Sequence, residues 1–159
     1  MKTRLVLIAA LIALPAAALA HDKNHGHNHS HASFAAGEPG DPKKPAKIVK
    51  VEMFEKDGKM LFTPERLEVK KGDQIKFVLR NTGELEHEFM LATTAENLEH
   101  AEEMKKNPEM AHDDPNGKRL APKQNGELIW RFTKSGEFEY ACLIPGHREA
   151  GMIGIVVVK

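Results

Sequence analysis

Cys142-Leu143-Ile144-Pro145-Gly146-His147-Arg148-Glu149-Ala150-Gly151-Met152 contains the only cysteine of the chain, with a histidine five residues later and a methionine five beyond that. Just before it, Phe138, Tyr140 and Cys142 alternate with Glu139 and Ala141, which reads as a strand ending at the cysteine. Ile153 to Val158 is a β-branched run that reads as the next strand. A tight Pro145-Gly146 loop between two strands can present three side chains to one point. Upstream, His87 lies in the strand-like run Leu85-Glu86-His87-Glu88-Phe89-Met90-Leu91. One thiolate, two imidazoles and one thioether are the donors of a mononuclear copper site, trigonal His₂Cys with a weak, long axial Met. Soft sulfur suits Cu(I) and imidazole suits both oxidation states. A geometry intermediate between their preferences lets the charge change with little ligand movement.

Other readings of these residues stand beside that one. A lone cysteine is commonly a small buried hydrophobe. Cysteine and histidine also form catalytic pairs. A methionine after the histidine has no role in a thiol hydrolase, however, and no Asn or Asp is evidently placed to orient the imidazole. Zinc favours further thiolates or a carboxylate over a thioether. Haem attachment needs C-x-x-C-H, which the chain lacks.

The alternation continues outward from the loop. Ile48 to Phe54 opens a domain, and Leu67-Glu68-Val69 leads into a Lys71-Gly72-Asp73 turn. Ile75, Phe77 and Leu79 share one face, as do His87, Phe89 and Leu91, and Leu128, Trp130 and Phe132. With the Ser135-Gly136 turn, this predicts an all-β protein, an antiparallel sandwich of seven or eight strands. Thr94 to Asn125 interrupts it. Glu96 to Lys106 has helical composition, with Thr94 as N-cap and Asn107-Pro108 as stop. Asp113-Asp114-Pro115-Asn116-Gly117 then reads as loop. This excursion holds His100, Met104, Met110 and His112. Either Met104 packs on the sandwich and the histidines are solvated, or these residues form a second soft copper site. Met90 would join that site or pack on the outer sheet face.

Residues 1–20 read as a secretory signal: Lys2 and Arg4, the apolar run Leu5 to Leu14, and Ala18-Leu19-Ala20 before the cleavage point. The run is short for a membrane span, so the expectation is an exported protein of the periplasm without membrane insertion. Loss of Lys2 and Arg4 from 23 basic residues leaves 21 against 23 acidic ones, a net of −2, which argues against nucleic acid as a partner. Residues 21–47 form a His-rich arm and linker, expected to be disordered, carrying His21, His25, His27, His29 and His31. The arm reads as a solubilising tail or as a weak, multi-site copper binder. The folded domain is expected over residues 48–159.

The order His87, Cys142, His147, Met152 resembles the cupredoxin, or blue (type 1) copper, family over roughly Lys47 to Lys159. The Cys-x₄-His-x₄-Met loop is similar in length to that of auracyanin and rusticyanin and longer than that of plastocyanin. The resemblance implies a Greek-key β-sandwich or barrel, one type 1 copper held by those four residues, and Cu(II)/Cu(I) cycling. It implies an apolar shell, here Phe89, Phe138 and Tyr140. Many members carry Asn after the first histidine, where it braces the cysteine loop; this chain has Glu88. Two roles follow: copper handling and tolerance, or electron transfer between respiratory or photosynthetic partners. The surplus His and Met favour the first, and copper-tolerance cupredoxins with metal-binding extensions are known as a type. Copper ions, a redox protein or a copper exporter are the expected partners of a monomer. An enzyme such as a cuprous oxidase is the weaker expectation, since no second folded domain carries further His-x-His clusters.

Overall fold

The computed structural model describes residues 34–107 and 114–159. The signal stretch, His21, His25, His27, His29, His31, Met110 and His112 lie outside the described residues.

Among the described residues, ten strands and one helix follow in chain order: β1 (Glu38–Pro39), β2 (Lys47–Lys56), β3 (Lys59–Thr63), β4 (Arg66–Val69), β5 (Gln74–Asn81), β6 (His87–Ala92), α1 (Thr94–Lys106), β7 (Gly117–Leu120), β8 (Asn125–Arg131), β9 (Gly136–Ala141) and β10 (Ile153–Val158). They form two five-stranded sheets, ordered β1-β8-β5-β2-β3 and β4-β10-β9-β6-β7. The chain changes sheet repeatedly, so each sheet's apolar face lies against the other. Ile75, Phe77 and Leu79 face inward from one sheet, and Phe89, Leu91 and Tyr140 from the other. Phe89 stacks on Tyr140 with centroids 5.1 Å apart. The all-β sandwich predicted from alternation is therefore the fold.

Three details differ from the sequence reading. The sheets are mixed, because β2 runs parallel to β5 and β4 parallel to β10. After β2 and β3 the chain passes through β4 in the other sheet and returns beside β2 in the same direction. Side-chain alternation is identical for either direction, so it could not report this. The second difference is β7, which forms inside the Thr94 to Asn125 excursion, where no strand was expected, and pairs with β6 from His87↔Leu120 to Met90↔Gly117. The third is the domain start. Glu38–Pro39 pairs with β8, Ala36 is fully buried, and the Trp130 indole donates to its carbonyl at 3.3 Å. Phe34 meets Trp130 edge-on at 5.3 Å. Residues 34–46 thus lie on the sandwich, in place of the disordered linker expected up to Lys47, because Trp130 offers both an apolar ring and a donor to that segment.

The N-cap of α1 is Thr93, one residue before the Thr94 read from the sequence. Thr93 and Glu96 form a reciprocal capping box, the Glu96 N–H donating to Thr93 Oγ1 and the Thr93 N–H to Glu96 Oε2. The helix covers the outer face of the second sheet. Met104 and Ala101 pack there with Met90, Ala141 and Leu143. Every residue of β6 is consequently buried, one set under the other sheet and the alternate set beneath α1 and its flanks.

Candidate metal centre

Strand pairing assembles the site. β6 lies antiparallel to β9, with Met90 opposite Ala141. That register brings the start of β6, His87, beside the end of β9, where Cys142 follows Ala141. The loop beyond folds back on itself. The His147 N–H donates to Ile144 O at 3.0 Å, and the Met152 N–H to His147 O at 3.1 Å. Gly146 supplies the left-handed conformation, φ +91°, that this turn requires. The Cys142 N–H reaches Met152 O at 3.2 Å, so the two ends of the loop lie side by side.

His87, Cys142 and His147 converge. His87 Nδ1 lies 3.3 Å from His147 Nδ1, which lies 3.3 Å from Cys142 Sγ. Among the described residues this is the one group of three or more His, Cys, Asp or Glu side chains whose donor atoms gather, all within 4.8 Å of one another. Donors arranged trigonally about one ion at roughly 2.0–2.3 Å, the range of zinc bonds to imidazole and thiolate, would lie roughly 3.5–3.8 Å apart. The two 3.3 Å spacings, His87 Nδ1 to His147 Nδ1 and His147 Nδ1 to Cys142 Sγ, are close to that. Met152 is fully buried and belongs to the same core as Cys142. His87 is fully buried too, and His147 keeps a small solvent face.

Burial dominates the acid–base behaviour. It pushes the Cys142 thiol up to about 12, against a smaller pull from the backbone N–H groups of Glu88 and Ile144. A bare thiol here stays protonated, so a metal ion must displace that proton to bind the thiolate. Burial also lowers both imidazoles; for His147 the neighbouring His87 adds to it. Neutral imidazoles are the ligand form.

Two carboxylates hold the donors. Glu88, at the position where many cupredoxins have Asn, is almost completely buried. Its N–H donates to Cys142 Sγ at 3.3 Å and its Oε2 accepts from the Leu143 N–H at 3.4 Å. The bracing of the cysteine loop therefore survives the change of residue. Glu55, on β2, accepts from His87 Nε2 at 2.7 Å. Burial raises its carboxyl, but the N–H groups of Glu84 and Leu85 together with His87 outweigh that and hold it below the usual range.

A further, part-buried pair supports the loop. Arg148, next to His147, donates from Nε and Nη2 to the two oxygens of Glu139 at 3.2 and 2.9 Å. Asn97 of α1 donates to the same carboxylate at 3.2 Å. Helix, strand and metal loop thus meet at one acid. The sequence reading gave a role at the site to neither Glu55 nor Glu139. Both look like ordinary charges on strands, although alternation sets Glu55 in phase with Val51 and Met53 and puts Glu139 on the face opposite Tyr140.

The remaining expectations sort cleanly. Met104 is core, packed with Met90 between helix and sheet, and His100 is a half-buried residue of α1. Phe89 and Tyr140 are central core residues, but Phe138 packs on Phe132, centroids 6.5 Å apart. It stands four residues from Cys142, about 13 Å along a strand, so it lies away from the metal loop instead of in its shell.

Comparison with known proteins agrees with this geometry. The family model described as copper binding proteins, plastocyanin/azurin family, matches residues 49–159. The copper-resistant cuproprotein CopI of Rubrivivax gelatinosus is 45% identical over 163 residues, spanning 100% of this chain and 97% of that protein. The CopI of Pseudomonas aeruginosa is 34% identical, over 79% of this chain and 83% of its own. Among solved structures, auracyanin B superposes with a TM-score of 0.62 at 20% identity, over 80% of this chain and 99% of its own. A multicopper oxidase from Campylobacter jejuni gives 0.54 at 14% identity, with 31% of that larger chain covered; at such identities these two speak for the fold alone. Two Nδ1 atoms and one thiol sulfur converging in a buried pocket fit one type 1 copper ion. The chain belongs to the plastocyanin/azurin family of copper-binding proteins, the cupredoxins.

Proposed function

We propose that this protein holds one type 1 copper through His87, Cys142, His147 and Met152, cycles it between Cu(II) and Cu(I), and serves copper resistance in the periplasm. The observation that carries the copper reading is the convergence of His87 Nδ1, Cys142 Sγ and His147 Nδ1. The resistance role draws on the CopI likeness, whose alignment spans 100% of the chain. The signal-like residues 1–20 support export. A closed, hydrogen-bonded loop keeps the donors in place when the ion changes charge, so one-electron exchange needs little reorganisation.

Copper loading tests the site. A thiolate bonded to Cu(II) gives an intense visible charge-transfer band. Cu(II) added to the mature protein should produce that band, and Cys142→Ser should abolish it; a band surviving in the serine variant refutes the assignment. A deletion strain tests the role. Normal growth without added copper and poor growth with it, unrescued by Cys142→Ser, supports resistance. A defect confined to one respiratory or photosynthetic growth mode at low copper would instead make the protein an electron shuttle using the same site.

A further inference from the structure

We infer that Glu55 is a positioning residue of the copper site. Its carboxylate fixes the His87 ring with Nδ1 turned to the metal, and its charge favours the oxidised ion. The inference rests on the copper reading above.

A carboxylate only accepts hydrogen bonds, so the 2.7 Å contact of Glu55 Oε1 with His87 Nε2 places the ring proton on Nε2. Nδ1 is then left with its lone pair, 3.3 Å from His147 Nδ1 and within 4.8 Å of the thiol sulfur. An imidazole whose distal N–H meets a carboxylate is also a stronger donor, and such outer partners tune metal sites. Glu55 is itself immobilised. Glu84 N–H donates to Oε2 at 2.9 Å and Leu85 N–H to Oε1 at 3.0 Å. These donors belong to the turn that delivers His87 to β6, so one carboxylate sets both the turn and the ring.

Gly83 shows that the space is kept for this acid. A Cβ at position 83 would stand 2.5 Å from each Glu55 carboxylate oxygen. The obstructed atoms are the end of a flexible side chain, so Gly83→Ala should move the carboxylate away from His87 while leaving the strands in place. Nature of the residue at 83 and geometry at 55 are therefore coupled, and the coupling offers a test without altering Glu55 chemically.

The experiment uses the full mature protein. In the copper-free parent, ¹⁵N chemical shifts of His87 should report the Nε2–H tautomer. Glu55→Gln keeps an acceptor but removes the charge; Glu55→Ala removes both; Gly83→Ala displaces them. All three should weaken Cu(II) more than Cu(I), with Cu(II) affinity falling about 10–100-fold in Glu55→Ala, as for other outer partners of metal-bound histidines. Each tenfold fall in the Cu(II)/Cu(I) affinity ratio raises the potential by about 59 mV. Only Glu55→Gln should keep the parent tautomer. A role confined to shaping the turn would lower thermal stability and leave potential and tautomer unmoved, which would overturn the inference. So would an Nδ1–H tautomer in the parent. Failure of the copper reading looks different: the parent itself would then lack the thiolate band, whatever happens at Glu55.

Discussion

Arg148→Ala should cost this protein about 3 kcal/mol, although Arg148 lies at the protein–water boundary. Its partner makes the difference. The Glu139 side chain is only 3% exposed and Arg148 20% exposed, so the pair is unlike the other Lys and Arg ion pairs among the described residues, each of which has at least one well-exposed side chain and is worth about 0–1 kcal/mol. Truncating Arg148 removes both of its bonds to Glu139 and leaves the carboxylate with the bond from the Asn97 amide. Leaving one member of a buried pair uncompensated costs roughly 3–5 kcal/mol; the surviving Asn97 bond and Arg148's partial exposure place the value at the lower end. For a domain of this size 1 kcal/mol moves Tm by about 4 °C, so the drop should be near about 12 °C. Urea and thermal unfolding of the copper-free protein measure it. The double variant Glu139→Leu, Arg148→Leu should recover most of the loss, because it removes the buried charge along with its partner. If Arg148→Ala costs under about 1 kcal/mol, the pair behaves as a surface contact and the account of the helix-to-loop support is wrong.

Other consequences are more direct. Met152→Leu should keep copper and raise the potential, because loss of a weak axial donor disfavours Cu(II); redox titration checks it, and complete loss of copper would make Met152 a primary ligand. Met104→Ala should lower stability by about 2–5 kcal/mol, as for other fully buried methionines, without changing the number of coppers bound; a lost copper would revive the second-site reading of the excursion. Removing residues 21–31 should reduce the copper count at neutral pH to one, and the extra copper of the longer protein should fade as pH falls through about 6.5, where unperturbed imidazoles protonate. The truncated chain should begin no later than Phe34, since starting at Lys47 also strips the segment on Trp130 and should lower Tm.

What the sequence disclosed and what it withheld follow the range of the interactions. Cys142, His147 and Met152 sit in one loop, so their shared chemistry is visible in eleven consecutive residues. His87 is distant, yet alternation in β6 still puts it on the inward face with Phe89 and Leu91. Glu55 is marked less clearly. It is one of two acids on β2, and although alternation sets it in phase with buried Val51 and Met53 and apart from exposed Glu52, nothing local ties it to a metal site. It becomes part of the site only when the Thr82–Leu85 turn closes over it, and that closure depends on a missing side chain at Gly83. β7 was hidden for a related reason: Gly-Lys-Arg-Leu has one apolar residue, and the strand exists because β6 offers it an open edge. The donors of a metal site are conspicuous because few other tasks need a thiol, imidazoles and a thioether together. The groups that aim those donors are ordinary carboxylates and amides, and their role is set by a partner 32 residues away in the case of Glu55 and His87. Changes at such supporting positions should therefore move the potential and the stability of this protein while leaving its ligand motif intact.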